Sequence, residues 1–159
     1  MCVATALAAG SLACGPSRSH LDPAHAAALR DSVVRFAGRI PMALAEEGPI
    51  AWLRYFDDEP TFFMASDGQM VFPSRDSATA FVRHLAETVS AIDLEWEEFR
   101  VEPLAPGLAE IATAYQETIT DTAGTTSNFR GYMTAVACHT SDGWRLRSLH
   151  WSSPVPPRH

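Results

Sequence analysis

Cysteine is scarce in this chain of 159 residues, which contains only Cys2, Cys14 and Cys138. No two of them form a CxxC pair, and none has a histidine partner at the spacing of a metal site. A disulfide framework and a structural zinc site both need such a pattern, so we expect neither. Cys138 lies in an apolar strand pattern, where a small buried side chain is expected rather than a reactive thiol.

Clusters of basic residues and long apolar runs are also missing. The 12 basic residues are scattered along a chain whose net charge is −7. Nucleic-acid binding needs a basic patch that displaces counterions from phosphates, so we expect no nucleic-acid partner. No apolar run reaches the length of about 18 residues that a membrane span needs. The composition, 47% hydrophobic and 19% charged, is typical of one globular domain.

Residues 1–21 differ in composition from the rest of the chain. They are small and apolar up to Cys14, carry no charge before Arg18, and then turn to Gly, Pro and Ser. This composition is typical of a bacterial export signal. The stretch "SLACGPS" resembles the lipobox of bacterial lipoproteins, although Ser11 stands where leucine is usual and a basic first region is missing. We predict an exported protein anchored through a lipid on Cys14; the alternative is a cytoplasmic protein with an uncleaved tail.

Helix signals dominate the first half of the chain. Asp22 followed by Pro23 predicts a helix start, with a capping carboxylate and then proline at the first helical position. Apolar residues continue at helical spacing over 29–40. Pro41 is expected to kink or end this helix, because it lacks the N–H that the helical hydrogen bonds need. Gly48 is a candidate cap for the end of the segment.

The remaining elements alternate between helices and strands. A short second helix is predicted from Pro49 through "IAWLRYF", and a third helix is predicted with Asp76 or Ser77 as its cap. Between them, "TFFMA" and "QMVF" flank the turn "SDG", which indicates a hairpin. Four longer strands follow, and the change of phase in the first of them predicts a bulge near Glu97 or Glu98.

This order of elements predicts an α+β domain over residues 22–153, followed by a proline-rich tail at 154–159. We expect three N-terminal helices to pack on one face of a curved, mostly antiparallel sheet. Such a sheet bends around its helices into a cone, and the wide end of a cone is a pocket.

The order of elements over 22–153, the "YFDDEP" junction and the closing "DGWRLRSLHWSS" resemble SnoaL-like proteins of the nuclear-transport-factor-two-like superfamily. Members commonly end with a turn glycine, a tryptophan strand and His-x-Ser, here Gly143, Trp144, His150 and Ser152. The resemblance implies the cone-shaped α+β fold. It implies no single function, because the superfamily contains isomerases, cyclases, dehydratases, binding proteins and oligomerisation hubs.

Steroid isomerisation is the best-known chemistry of this superfamily. It needs a carboxylate base, and a tyrosine and a protonated carboxylic acid as hydrogen-bond donors. The resemblance would put the base near Phe63 or Met64 and the acid near Thr134 or Ala135, and none of these is an Asp or Glu. The sequence therefore leans against an enzyme of this type.

The last strand carries the most specific site prediction. Side chains alternate along a strand, so Trp144, Leu146, His150 and Ser152 share one face unless a bulge intervenes, and Trp151 lies on the other. The apolar members predict that this face is the inner one. His150 would then be a polar anchor or a general base in the pocket. The alternative is a histidine that only completes hydrogen bonds in the core.

Two further groups of residues are candidates for the pocket wall. Tyr115 and Glu117 share one face of a long strand, and partial burial would raise the pKa of Glu117; the alternative is a solvated strand end. Trp52, Tyr55 and Phe56 share one face of the second helix, and line either the pocket or the core.

From these observations we predict a small-molecule-binding domain with an apolar pocket, no cofactor and no metal. The alternatives are a small isomerase, cyclase or dehydratase that uses His150, with Tyr115 or Glu117, and an assembly domain whose outer sheet face forms a homodimer. The ligand, a small apolar or aromatic molecule, is expected to contact Trp52, Tyr55, Phe56, Phe63, Trp96, Tyr115, Glu117, Trp144, His150 and Ser152.

Overall fold

A computed structural model describes residues 21–154 of the chain. The export segment with Cys14 and most of the proline-rich tail lie outside the described residues, so those predictions stay as they are. The elements follow in the order α1 (Pro23–Ala37), α2 (Arg39–Glu47), a 3₁₀ helix (Gly48–Arg54), β1 (Phe63–Ser66), β2 (Gln69–Phe72), α3 (Arg75–Thr88), β3 (Val89–Ala105), β4 (Leu108–Asp121), β5 (Thr126–Thr140) and β6 (Gly143–Ser152).

The predicted start of the first helix is confirmed. The Asp22 carboxylate accepts hydrogen bonds from the backbone N–H groups of Ala24 and His25, and proline occupies the first helical position. The break between α1 and α2 falls at Gly38 rather than at Pro41. Pro41 lies in the first turn of α2, where its missing N–H would have no helical partner, so it does not interrupt the helix.

The other helix predictions are partly confirmed. Gly48, at φ +72, caps the end of α2. The segment after it is a 3₁₀ helix rather than an α-helix. The third helix is capped by Ser74 rather than by Asp76 or Ser77. Ser74 and Ser77 form a reciprocal capping box, in which each side chain accepts from the backbone N–H of the other.

The six strands form one sheet in the order β2-β1-β6-β5-β4-β3. All neighbouring pairs are antiparallel except β1 and β6, which run parallel. The predicted hairpin is β1–β2, closed by Asp67 at φ +47 and Gly68 at φ +82, the two positive φ angles that a tight hairpin turn needs. The parallel pairing with β1 brings this turn beside the end of β6, and thereby positions the site described below.

The predicted bulge in β3 is confirmed. The β3–β4 register shifts between Glu97 and Arg100, and Glu98 has φ +47. A bulge bends its strand and increases the local twist, which helps the sheet to curve around the helices.

The core lies between the inner face of the sheet and the helices, which confirms the α+β class. The largest fully buried side chains come from both layers and from their connections: Val33, Ile40, Leu44, Phe62, Ile111, Thr113, Met133 and Leu146. Over residues 21–154, none of the helices has the length and apolar character that crossing a membrane would require.

Candidate functional site

A cavity of about 360 Å³ lies where β6 ends, beside the turn between β1 and β2. Its aromatic lining residues are Trp52, Phe56, Phe72, Phe81, Tyr115, Phe129 and Trp151. Its aliphatic lining residues are Met64, Val82, Leu85, Ile92, Ile119 and Leu149. This volume and this apolar wall suit a small organic molecule.

Trp151 is the centre of the aromatic wall. Its ring meets the ring of Tyr115 edge to face, with 4.5 Å between the centroids, and that of Trp52 in the same way at 6.1 Å. Trp96 packs against it at 5.9 Å. Edge-to-face aromatic pairs hold one another in a defined geometry. These contacts fix the orientation of the Trp151 ring in the wall.

A bulge in β6 turns Trp151 into the cavity. Val136 of β5 pairs with Ser148, whereas the next residue, Ala137, pairs with Leu146. Arg147 is therefore an extra residue that no residue of β5 opposes. One extra residue reverses the alternation of every side chain that follows it.

A buried carboxylate holds the bulge in place. Asp57 is 3% exposed and accepts a hydrogen bond from Arg147 Nη1 at 3.3 Å and one from Cys138 Sγ at 3.4 Å. The backbone N–H of Asp57 also donates to the carbonyl of Leu146 at 2.8 Å. Burial, followed by the hydrogen bond to Asp57, raises the pKa of the Cys138 thiol. The thiol is thus a weak hydrogen-bond donor in a structural cluster.

The polar side of the cavity begins at the hairpin turn. Asp67 accepts the backbone N–H of Ser153 at 2.7 Å and the hydroxyls of Ser153 and Ser66 at 3.4 Å each. All three residues line the cavity. These hydrogen bonds join the turn to the segment that follows β6.

Glu117 is the second carboxylate of the cavity, on β4. It is partly buried, and within residues 21–154 its side chain has no hydrogen-bond or ion-pair partner. Burial raises its pKa to about 7. Burial is also the main reason why the pKa of Tyr115 is raised; a hydrogen bond with Ser153 opposes the shift, and the charges of Glu117 and Asp67 add to it.

The arrangement can therefore accept a hydrogen bond and exchange a proton near neutral pH. Tyr115 and Glu117 are two residues apart on one strand, about 7 Å along it, and point to the same side. Among the residues that the structure describes, no Arg, Lys or His lines the cavity. Over 21–154, no group of three His, Cys, Asp or Glu side chains is placed to hold a metal ion.

Comparison with known families assigns the chain. A family model described as the SnoaL-like domain matches residues 43–156. The chain belongs to the SnoaL-like domain family. The search of curated proteins found no match.

Solved structures confirm the fold of this SnoaL-like domain. A nuclear transport factor 2-like (NTF2-like) superfamily protein from Salmonella enterica superimposes with a TM-score of 0.69 at 14% identity, over 83% of this chain and 95% of that one. A candidate dehydratase of the NTF2-like family from Streptomyces avermitilis gives 0.66 at 15% identity, over 79% and 97%. A candidate calcium/calmodulin-dependent protein kinase II association domain from Xanthomonas campestris gives 0.64 at 19% identity, over 79% and 87%. At these identities the likeness concerns the fold alone.

Four of the residues predicted to contact a ligand do line the cavity of the SnoaL-like domain. They are Trp52, Phe56, Tyr115 and Glu117. Tyr115 and Glu117 share one strand face, as the alternation predicted, whereas of the three aromatic residues grouped by helical spacing only Trp52 and Phe56 line the cavity.

The prediction for the last strand is wrong in its placement of three residues. His150 is exposed, opposite Thr134 on the outer face, and Ser152 donates its hydroxyl to the carbonyl of Tyr132. Neither lines the cavity, whereas Trp151, expected on the outer face, does. The bulge is the reason, because it reverses the alternation between Leu146 and Leu149.

Four other predicted residues lie elsewhere. The Tyr55 hydroxyl and the indole N–H groups of Trp96 and Trp144 donate hydrogen bonds to atoms of α1 and α2, so these rings pack against the helices and do not line the cavity. Phe63 is 43% exposed and does not line the cavity. Its neighbour on β1, Met64, does.

The sequence did not predict that Asp67 and Ser153 lie together at the edge of the cavity. Asp67 and Ser153 are far apart in the chain and meet because β1 pairs with β6. The "SDG" turn did indicate where Asp67 lies in its hairpin. No local signal indicated which strand the hairpin would join.

Proposed function

We propose that this SnoaL-like domain binds a small, largely apolar molecule in the cavity, and that Glu117 contacts one polar group of that molecule. The carboxylate of Glu117 carries the proposal. It is partly buried in an aromatic and aliphatic wall and has no partner within residues 21–154. A ligand that covers this carboxylate displaces water from it, and a hydrogen bond donated by the ligand would replace those that the water makes.

The lining also defines the chemical class of the ligand. The wall is aromatic, so flat apolar or aromatic molecules make the largest contact with it. Of residues 21–154, two carboxylates and no basic side chain line the cavity, so an anionic ligand would be repelled. We therefore expect a neutral molecule with a hydroxyl or N–H donor near one end.

N-phenyl-1-naphthylamine is a suitable probe, because it is neutral, aromatic and has a single N–H donor. Its fluorescence rises in an apolar site, so a titration at about pH 8, where Glu117 is ionised, gives the affinity directly. We expect saturable binding that Glu117→Gln weakens roughly fivefold to tenfold, because a hydrogen bond to a charged acceptor is stronger than one to an amide. Binding to the wild type should also weaken as the pH falls below about 7, when Glu117 gains a proton.

Glu110→Gln is the matched control, because Glu110 is an exposed residue of the same strand and the change removes the same charge. It should leave the affinity unchanged. Saturable binding that Trp151→Ala and Glu117→Gln both leave unchanged would place the ligand elsewhere and contradict the proposal.

Acid–base catalysis is a second candidate, favoured by the pKa of Glu117 near 7 and by Tyr115 on the same strand face. Glu117 as a carboxylate would remove a proton from a carbon beside a carbonyl group. The Tyr115 hydroxyl would donate a hydrogen bond to the enolate oxygen, and the proton would return from Glu117 to carbon. His150 has no place in this mechanism.

Exchange of α-protons tests the second candidate. Indanone, an aromatic ketone, can be incubated with the protein in deuterium oxide and followed by proton NMR. An enzyme of this class should make the α-protons exchange faster than they do in buffer alone. Glu117→Gln should slow this exchange at least about a hundredfold, whereas Glu110→Gln should not slow it. Exchange at the buffer rate would remove the catalytic candidate and leave the binding proposal standing.

A further inference from the structure

A second concave surface, the arginine groove, lies at the opposite end of β6. It has a volume of about 500 Å³ and is bordered by the α1–α2 junction, the 3₁₀ helix and the turn between β5 and β6. Its charged side chains are Arg35, Arg39, Arg54 and Arg145, together with one carboxylate, Asp142.

The arginine groove is separate from the apolar cavity. No residue between 21 and 154 lines both surfaces. Trp144 lines the groove and Trp151 lines the cavity, so the two are seven residues apart along β6, which is about 20 Å. Their charges are also opposite, because the described part of the chain contributes carboxylates and no basic side chain to the cavity.

The concentration of positive charge is unusual for this chain. Its net charge is −7, and all 12 of its basic residues are arginines, of which four line this one groove. Arg35 and Arg39 are four residues apart across the junction of two nearly continuous helices, a spacing at which like charges repel. Such a cluster is more stable when an anion is bound to it.

Most of this charge is not neutralised by the protein itself. Arg54 makes a bidentate ion pair with Glu47, at 2.5 and 2.6 Å. Within residues 21–154, Arg35, Arg39 and Arg145 form no ion pair. Three guanidinium groups are therefore available to an anion.

Two of the four arginines are held in position. The guanidinium of Arg54 lies over the Tyr55 ring, 5.5 Å from its centroid. Arg145 Nη1 donates to the carbonyls of Asp142 and Trp144, at 3.2 and 3.0 Å. The rings of Tyr55 and Trp144 are both 8% exposed and form a firm floor beneath the charges.

We propose that the arginine groove is a binding site for a small oxyanion with at least two negative charges, of the phosphate or carboxylate type. The planar guanidinium group offers two parallel N–H donors, which match the oxygens of phosphates and carboxylates. Arg35 and Arg39 are exposed and make no side-chain hydrogen bond within residues 21–154, so they can close on the ligand. Arg145 then contacts it from the opposite wall.

Isothermal titration calorimetry with pyrophosphate and with citrate tests the proposal, at about 0.15 M NaCl to screen long-range attraction. The test variant is the double substitution Arg35→Gln and Arg39→Gln. The control is Arg83→Gln with Arg100→Gln, which removes the same charge from two exposed positions outside the groove. We expect saturable binding of at least one anion, weakened at least about tenfold in the test variant and less than about twofold in the control.

The choice between the two anions identifies the chemistry. Binding of pyrophosphate alone supports a phosphate site, binding of citrate alone supports a carboxylate site, and both results support the proposal. If the test and control variants lose anion affinity equally, the anion is attracted by the overall charge of the protein and not by the groove, and the proposal is overturned. The lack of saturable binding of either anion up to about 10 mM, the range of very weak affinities, would also overturn it.

Discussion

Glu117→Gln should make the SnoaL-like domain more stable and weaken its ligand binding at the same time. The substitution keeps the size of the side chain and removes its ability to ionise. A residue with a purely structural role would lose stability and affinity together. Opposite signs in the two measurements are therefore the signature of a site residue that reduces the stability of the unbound protein.

The sign follows from proton linkage. Burial raises the pKa of Glu117 from 4.5 to about 7 in the folded protein. Between these two values the folded state binds more protons than the unfolded state, so the free energy of unfolding falls as the pH rises. The contribution of the neutral carboxyl is complete below about pH 4.5 and is lost as the pH passes about 7. The Glu117→Gln variant is neutral at this position at every pH, so this contribution to its free energy of unfolding does not change with pH.

The magnitude follows from the same shift. A rise of about 2.5 units corresponds to roughly 3 kcal/mol at about 1.4 kcal/mol per unit. The side chain is partly exposed, and water screens its charge, so we expect about 1–2 kcal/mol. At about pH 4.5 the wild type and Glu117→Gln should therefore have the same free energy of unfolding. At about pH 8 the variant should be more stable by this amount.

Urea denaturation followed by tryptophan fluorescence measures both free energies. Glu110→Gln serves again as the control for the loss of one negative charge on β4. The reasoning is refuted if Glu117→Gln gains no stability over the wild type between about pH 4.5 and 8, or if Glu110→Gln gains as much.

Three further predictions concern the sheet. In Gly131→Ala the added Cβ would lie 1.9 Å from the carbonyl oxygen of Ser152, so β5 and β6 must separate; we expect a loss of about 2–3 kcal/mol in urea denaturation, and an unchanged midpoint would contradict this. Arg147→Ala removes the cationic partner of the buried Asp57 carboxylate and should lower the free energy of unfolding by about 1–3 kcal/mol, whereas Arg147→Lys should retain part of it. The expected homodimer should show twice the monomer mass by light scattering, and a monomer mass would exclude it.

Predictions that depend on a few neighbouring residues agree with the structure. The Asp22 cap, the hairpin turn at Asp67 and Gly68, and the bulge at Glu98 are examples. In each of them the backbone conformation follows from the residue types at the turn, the cap or the change of phase. Local interactions stabilise these conformations, so contacts with distant parts of the chain contribute little to them.

Predictions that chose between local alternatives of similar energy were less accurate. The helix breaks at Gly38 rather than at Pro41, and α3 is capped by Ser74 rather than by a residue two or three positions later. Proline is accepted in a first turn, and Ser74, Asp76 and Ser77 all have side chains that can cap a helix. The residue types alone therefore do not choose between these positions.

The sequence by itself determined the α+β class, the order of the elements and the placement of Tyr115 and Glu117 on one face of their strand, because these follow from periodicity along single elements. Only the tertiary structure decided which face of the last strand meets the cavity. The extra residue in β6, Arg147, arises from its pairing with β5, and it is held by Asp57, which lies 90 residues earlier in the chain. Alternation is a local property, but the point at which it reverses depends on a partner strand and on a distant carboxylate, so Trp151 faces the cavity in place of the histidine before it.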